Sequence, residues 1–130
     1  MNVFITGASS GIGAALARHY AAQGAKVGLF ARRQAELAAL AATLPAGAVA
    51  AYAGDVRDAD ALARAAADFI GRFGVPDVVI ANAGVSRGAL TEHAEDLPTF
   101  RAVLDTNVLG MVHSFQPFVA AMRAQRRGAL

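Results

Sequence analysis

The chain has 130 residues, a length that suits one domain able to bury a sizeable core. It is 55% hydrophobic and 17% charged with a net charge of +2, which argues against disorder and against a nucleic-acid partner. There is no cysteine, and the three histidines lie far apart, so neither a disulfide framework nor a metal site is expected. No apolar run reaches the ~20 residues of a membrane span, and no charged leader precedes an apolar stretch, so we expect a cytoplasmic protein without a membrane partner.

Short apolar segments alternate with segments in which apolar residues repeat at helical spacing. In chain order the predicted elements are strand Val3–Thr6, helix Ile12–Gln23, strand Lys26–Phe30, helix Gln34–Leu44, strand Val49–Ala53, a helix from a cap at Asp58 to Phe73, strand Asp77–Ala81 and a long helix over Leu97–Arg126. In the first helix the apolar positions Ile12, Leu16 and Tyr20 repeat at helical spacing. The strand Asp77–Ala81 has a continuous apolar centre, which is typical of a strand covered on both faces.

The end of the chain continues this alternation. The long last helix is predicted to start at a cap formed by Asp96 or Thr99 and to bend near Asn107. Gly128 ends it, and residues 129–130 look like the start of a fifth strand. Strands that alternate with helices form βαβ units with a parallel sheet and right-handed crossovers. We therefore expect a single doubly wound α/β domain that is incomplete.

A glycine-rich turn follows the first predicted strand and reads TGASSGIG. Its glycines are Gly7, Gly11 and Gly13, and its hydroxyls belong to Thr6, Ser9 and Ser10. Glycine lets a phosphate approach the backbone at a helix N-terminus, where free N–H groups and the helix dipole favour an anion. The alternative is a turn that needs glycine only for tight packing. The place of the turn, between the first strand and the first helix, favours a site for the phosphates of a dinucleotide.

Together with ANAG after the fourth strand, TGASSGIG resembles the classical short-chain dehydrogenase/reductase family. The resemblance covers the whole chain, which matches about the first half of a typical member. It implies a Rossmann-type doubly wound parallel sheet, here truncated at the start of the fifth strand. It also implies an NAD(P)(H)-dependent oxidoreductase that acts on a small-molecule carbonyl or alcohol substrate. A homo-oligomer is an expectation from the resemblance alone.

The resemblance assigns cofactor contacts residue by residue. In the glycine-rich turn these are Thr6, Gly7, Ser9, Ser10, Gly11, Ile12 and Gly13. Asp55 matches the family's aspartate that hydrogen-bonds the adenine ring, with Val56 packing beside it, although a simple turn aspartate is an alternative. The segment that in the family lies under the cofactor and steadies the central sheet corresponds to Asn82, Ala83 and Gly84.

Charge at the end of the second strand predicts which dinucleotide is bound. NAD-preferring members of the family usually place an aspartate where this chain has Ala31, and Arg32 and Arg33 follow it. Guanidinium groups bind phosphate through paired donors, so NADP(H) is favoured over NAD(H), with Arg32 as the main contact. The alternative is that both arginines are solvated residues at a helix start.

Asn107 matches the family's asparagine that helps to hold a water in the proton relay, and it is the one catalytic residue predicted here. An asparagine that caps a helical break is an equally reasonable interpretation. His113 and Ser114 are adjacent in sequence and point to different helix faces, and no acid is placed to orient the histidine, so a catalytic triad is not expected.

The residues that deliver the proton in the family are missing from this sequence. The family uses a serine and a tyrosine followed four residues later by a lysine, whereas here Tyr20 precedes Gly24, Tyr52 precedes Val56, and Lys26 is the only lysine. We expect the chain to be the cofactor-binding half of a longer enzyme. The alternatives are a non-catalytic NADP(H)-binding or interaction module, and a missing half supplied by another chain. An uncovered fourth strand and uncovered helix faces would make the chain marginally stable or oligomeric.

Overall fold

A computed structural model describes residues 1–130. In chain order the elements are β1 (Asn2–Thr6), α1 (Gly11–Ala22), β2 (Lys26–Ala31), α2 (Gln34–Ala42), β3 (Val49–Ala53), α3 (Ala59–Phe73), β4 (Val78–Ile80), α4 (Leu97–Leu104) and α5 (Gly110–Ala124). A short 3₁₀ turn, Ala94–Asp96, precedes α4, and a π-helical segment, Asp105–Leu109, joins α4 to α5. The strands form one parallel sheet in the order β3-β2-β1-β4, so the predicted α/β fold is confirmed.

The third helix shows how local chemistry sets the bounds of an element. The Asp58 side chain accepts a hydrogen bond from the Ala61 N–H at 2.9 Å, as predicted for its N-cap. At the other end the chain turns at Gly74, which has a φ of 87°, a value that glycine adopts without steric cost. The amphipathic helix between them buries Leu62 and Phe69 against the sheet.

The single helix predicted over Leu97–Arg126 is instead divided by the π segment. Asn107, near which the sequence predicts a bend, lies in this segment, where the Gly110 N–H donates to the Asp105 carbonyl five residues back. The predicted side-chain cap is wrong. Asp96 stands at the N-cap position of α4, but its carboxylate accepts from the Leu90 N–H at 2.7 Å and caps no helical N–H.

The helix that the spacing of Ile12, Leu16 and Tyr20 predicts is confirmed as α1, but these large residues do not form its buried face. Ile12 is 72% exposed, and Leu16 and Tyr20 are only partly buried against the core. The residues that face the sheet are small, namely Gly13, Ala14, Ala17 and Ala21. Small side chains let the helix axis approach β1 and β2 closely, so periodicity in the large residues does not mark the buried face of this helix.

Two apolar clusters cover the two faces of the sheet. One joins α1 and α2 to residues such as Ile5 and Leu29. The other is aromatic and lies between the sheet, α3 and α5. In it, Phe4 packs against the rings of Phe30, Tyr52, Phe69 and Phe118 with centroid distances from 4.8 to 6.4 Å. Rings at such distances contribute beyond their buried area.

The edge strand β4 is covered less completely than the sequence predicts. Val79 is buried, whereas its neighbours Val78 and Ile80 are half-buried. Ala129 begins to pair beside this strand, because its N–H donates to the Asp77 carbonyl at 2.9 Å and its carbonyl accepts from Val79 at 3.0 Å. The predicted start of a fifth strand is thus confirmed as one parallel bridge.

Apolar side chains also remain exposed along α4, the π segment and the first turn of α5. They are Leu97, Phe100, Leu104, Val108, Leu109, Met111 and Val112. The expectation that the chain associates or is marginally stable stays a prediction. None of the helices has the length and apolar character that crossing a membrane would require.

The aromatic cluster generates a test of the fold. Phe4→Ala should lower the free energy of unfolding by about 3–5 kcal/mol, because it removes a fully buried ring that contacts four others. Urea denaturation followed by circular dichroism measures the loss. Phe100→Ala is the matched control, since Phe100 is 37% exposed and should cost under about 1 kcal/mol. Equal losses in the two variants would contradict the described core.

Candidate functional site

A cavity of about 340 Å³ opens at the carboxyl ends of all four strands. Its lining residues come from the loops after β1, β2, β3 and β4 and from the π segment: Gly7, Ser9, Ser10, Ala31, Arg32, Arg33, Gly54, Asp55, Val56, Asn82, Ala83, Gly84, Val85 and Thr106. In open α/β sheets, ligands bind outside these strand ends at the point where the strand order reverses. Here that point lies between β1 and β4, where chain order reverses in the sheet.

Most of the residues predicted from sequence meet in this cavity. Those that do not line it are Thr6, Gly11, Ile12, Gly13 and Asn107. Sequence reasoning missed four lining residues, which are Ala31, Gly54, Val85 and Thr106. Each is adjacent in sequence to a predicted residue. Including the immediate neighbours of the predicted residues would therefore have identified all four.

The three glycines of the first turn have different roles. A Cβ on Gly7, whose φ is 67°, would lie 2.8 Å from the Ala83 Cα, and a Cβ on Gly13 would overlap the Gly7 carbonyl oxygen. These two glycines are therefore required for packing. Gly11 has a φ of 55° and no atom within 4 Å of the Cβ direction, so it leaves open space at the start of α1. The tight-packing alternative thus describes Gly7 and Gly13, whereas the phosphate interpretation of the turn stays a prediction.

The first turn of α1 offers free hydrogen-bond donors. Ser10 occupies the N-cap position, but its side chain makes no bond to the helix, and the first turn contains no acidic residue. The first N–H groups of a helix have no partner inside the helix, and the helix dipole is positive at this end. With Gly11 leaving open space beside it, this turn has the chemistry of an anion site.

A hydrogen-bond network ties the turn after β1 to the segment after β4. The Asn82 Nδ2 donates to the carbonyl oxygens of Thr6 and Gly7 at 3.1 and 3.3 Å. The buried Thr6 hydroxyl accepts from the Ala83 N–H at 3.3 Å. Thr6 does not line the cavity, but it links the turn after β1 to the segment after β4, and both of these line it.

Arginines and one carboxylate give the cavity its charge. Arg32 and Arg33 are exposed at the end of β2, and Arg32 has no hydrogen-bond or ion-pair partner. Arg33 donates to the Ser9 hydroxyl at 3.3 Å and pairs with Glu36 at 3.4 Å. The Arg57 guanidinium holds the pKa of Asp55 below its usual range, and the positive charge of Arg32 lowers it further.

Asn107 does not line the cavity, but it forms two hydrogen bonds with Val85, which does. Its Oδ1 accepts from the Val85 N–H and its Nδ2 donates to the Val85 carbonyl, both at 2.8 Å. The side chain therefore imitates a strand partner for the loop after β4 and caps no helix end. The capping alternative is wrong, because both polar atoms of the amide are used on Val85.

His113 and Ser114 do not form a catalytic pair. The His113 Nδ1 lies 2.9 Å from the Val56 carbonyl, and the Ser114 hydroxyl donates to the Gly110 carbonyl at 2.7 Å. These contacts fasten α5 to the loop after β3 and to its own preceding turn. No three His, Asp or Glu side chains lie close enough together to hold a metal ion.

A sequence profile of the family described as short chain dehydrogenase matches residues 1–130. The chain belongs to this family. It is 40% identical over 124 residues to 11-beta-hydroxysteroid dehydrogenase 1A of Arabidopsis thaliana, covering 93% of the chain and 36% of that relative. It is 40% identical over 126 residues to A-factor type gamma-butyrolactone 1'-reductase (1S-forming) of Streptomyces virginiae, covering 95% of the chain and 49% of that relative.

Solved structures agree with this family membership. The closed form of serine dehydrogenase in complex with NADP+ superimposes with a TM-score of 0.90 at 28% identity, covering 98% of the chain and 51% of that structure. The fold is therefore the Rossmann-type sheet of short-chain dehydrogenases, whose members are oxidoreductases acting on small molecules. The chain spans between a third and a half of the length of the curated relatives named above.

The packing role of Gly13 can be measured against another helical glycine. Gly13→Ala should lower the free energy of unfolding by about 1–3 kcal/mol, because the new methyl would press on the Gly7 carbonyl and on Asn82. Gly71→Ala in α3 is the control, since nothing lies within 4 Å and the change should stabilise by about 0.5 kcal/mol. Chemical denaturation compares them, and two stabilised variants would contradict the close approach.

The grip of Asn107 on Val85 also has a measurable consequence. Asn107→Ala should accelerate amide hydrogen exchange at Val85 by about tenfold, because its N–H loses its acceptor. Asn107→Asp should show a smaller change, since the remaining oxygen still accepts from that N–H. Exchange at the buried Val79 is the internal reference. If Val85 exchanges at the wild-type rate in Asn107→Ala, the side chain does not hold this loop.

Proposed function

We propose that the whole protein is an NADP(H)-dependent oxidoreductase that transfers hydride between the nicotinamide cofactor and a carbonyl or alcohol substrate, and that residues 1–130 bind the dinucleotide. The observation that carries this proposal is the cavity at the strand ends. There Ser9 and Ser10, which directly precede the first turn of α1, line the same cavity as the carboxylate of Asp55 and the unpaired guanidinium of Arg32. Family membership supports the same chemistry.

The residues present fit a dinucleotide phosphate. The first turn of α1, with the open side of Gly11, would hold the pyrophosphate, because it offers free N–H groups and no acidic side chain. Asp55 would accept from the amino group of adenine, and Val56 would pack beside the ring. The segment Asn82–Gly84 would lie under the cofactor, where its hydrogen bonds to the turn after β1 keep it fixed.

Preference for NADP(H) over NAD(H) rests on the end of β2. Ala31 carries no carboxylate that would repel a 2′-phosphate, and Arg32 is exposed with no competing partner. Arg33 and Ser9 stand together at the same wall, 3.3 Å apart, and supply further donors. The complex of serine dehydrogenase with NADP+ supports this preference by likeness of fold.

Bound NADP(H) supplies or accepts the hydride. The chain's own residues bind and orient the cofactor through the cavity wall. Asn107 is proposed to contribute to the active site of the whole protein by helping to hold a relay water, beside the loop that it fixes through Val85. Delivering a proton to a developing alkoxide needs an acid, and no Tyr-x-x-x-Lys occurs in residues 1–130. We therefore propose that these residues bind the cofactor without catalysing the reaction.

The second candidate function is a non-catalytic NADP(H)-binding module, which would use the same cavity without the proton-delivering residues. Both candidates predict that residues 1–130 bind NADPH, and titration followed by nucleotide fluorescence tests that shared part. They separate in the reading frame that follows Leu130. A serine and then Tyr-x-x-x-Lys within it supports the enzyme, whereas a stop codon directly after Leu130 supports the binding module.

Arg32→Asp tests the cofactor preference. The substitution should weaken NADPH binding relative to NADH by at least about tenfold, because it replaces a phosphate-binding cation with a carboxylate that repels the 2′-phosphate. Isothermal titration with each nucleotide measures the ratio. Arg18→Asp on the exposed face of α1 changes the net charge equally and lines no wall of the cavity, so its ratio should stay near that of the wild type. An unchanged preference in Arg32→Asp would contradict the assignment.

A further inference from the structure

Arg57, which follows β3, directs the Nε and Nη2 edge of its guanidinium to the carboxylate of Asp55. Its Nε lies 3.1 Å from both oxygens of Asp55, and its Nη2 donates to Oδ2 at 2.7 Å. The Arg57 backbone N–H donates to Oδ1 at 3.0 Å. Side chain and main chain of one residue thus hold the plane of the Asp55 carboxylate, so it cannot rotate without breaking several charge-assisted bonds.

This arrangement leaves the Asp55 carboxylate able to accept one more donor. An ionised carboxylate has about four acceptor positions. Arg57 fills three of them: its backbone N–H donates to Oδ1, its Nη2 donates to Oδ2, and its Nε is shared equally between the two oxygens. Asp55 lines the cavity and Arg57 does not. The remaining acceptor position therefore belongs to a side chain that lines the cavity, where a ligand donor can use it.

We propose that Arg57 is a positioning residue that makes the site specific for a 6-aminopurine, by presenting the Asp55 carboxylate in a fixed orientation to the amino group of the base. A 6-oxopurine would place an acceptor oxygen against the same carboxylate and be rejected, since two acceptors repel and neither is satisfied. This inference rests on the proposed dinucleotide function and adds to it the residue that sets the selectivity for the base.

The charges around the pair favour this role. Arg57 is the main cause of the lowered pKa of Asp55, and Arg32 at the end of β2 acts in the same direction. Asp105, from the π segment, helps to keep the guanidinium of Arg57 protonated. The carboxylate therefore stays ionised at pH values at which an ordinary aspartate would be protonated. At those pH values it still accepts a hydrogen bond from the amino group.

The experiment compares two ligands across matched variants. The ligands are NADP+ and its hypoxanthine analogue, which differs only at the 6-position of the purine, and the dissociation constants are measured by isothermal titration. The wild type should prefer NADP+ by about tenfold, the usual effect of one hydrogen bond to a charged acceptor. In Arg57→Ala the ratio should fall to about two- or threefold. Arg64→Ala, an exposed arginine of α3 that lines no wall of the cavity, should keep the wild-type ratio.

Arg57→Lys guards against a variant that fails to fold. Lysine keeps the charge but loses the planar fork, so the ratio should lie between those of the wild type and Arg57→Ala. Acidification is a second measure. Since Arg57 keeps Asp55 ionised at low pH, loss of NADP+ affinity on lowering the pH should begin at a higher pH in both Arg57 variants than in the wild type.

The outcomes separate the possible roles. The Arg57 variants could lower the affinity for both ligands equally, keep the wild-type affinity ratio, and lose NADP+ affinity at the same pH as the wild type. In that case Arg57 only supports the loop and the inference is wrong. If the wild type binds neither ligand, the proposed dinucleotide function fails and this inference fails with it. If the wild type binds both ligands equally, the dinucleotide function stands and the selectivity for the amino group is refuted.

Discussion

The fold depends on a close approach between the turn after β1 and the segment after β4. Gly7 and Gly13 leave no room for a side chain beside Ala83 and Asn82, and the Asn82 amide bonds two carbonyls across the gap. Because this contact joins sheet neighbours that are far apart in the sequence, it fixes where the loops at the strand ends meet. The cavity is the space that remains above this joint.

Hydrogen-bond donors and the acceptor carboxylate occupy different parts of the cavity wall. Ser9 and Ser10 before α1 and the two arginines after β2 form a wall of donors, whereas Asp55 after β3 is an acceptor that Arg57 holds in place. A phosphate and an amino group make opposite demands on a protein. Placing the two types of partner on different strand ends lets one ligand satisfy both.

Much of the fold and part of the site could be predicted from the sequence, for physical reasons. Strand bounds such as Val49–Ala53 and the cap at Asp58 depend on local chemistry, and the structure agrees with them. The glycine-rich turn and Asp55 were found through spacing and resemblance. The buried face of α1 consists of Gly13, Ala14, Ala17 and Ala21, and the spacing of its large apolar residues does not indicate it, because small residues let the helix lie close to the sheet. The partners of Asp96 and Asn107 are backbone groups of a loop, and no periodicity reports them.

The π segment has a consequence for how α5 is aimed. Each residue of a helix turns the next by about 100°, so one extra residue in a turn shifts the phase of everything that follows. The π segment Asp105–Leu109 adds such a shift ahead of the stripe Ser114, Phe118 and Met122, which is buried in α5. Loss of a single residue there would rotate the stripe toward solvent while leaving α4 in place. The π-helical turn thus determines the rotation of α5 about its own axis relative to α4.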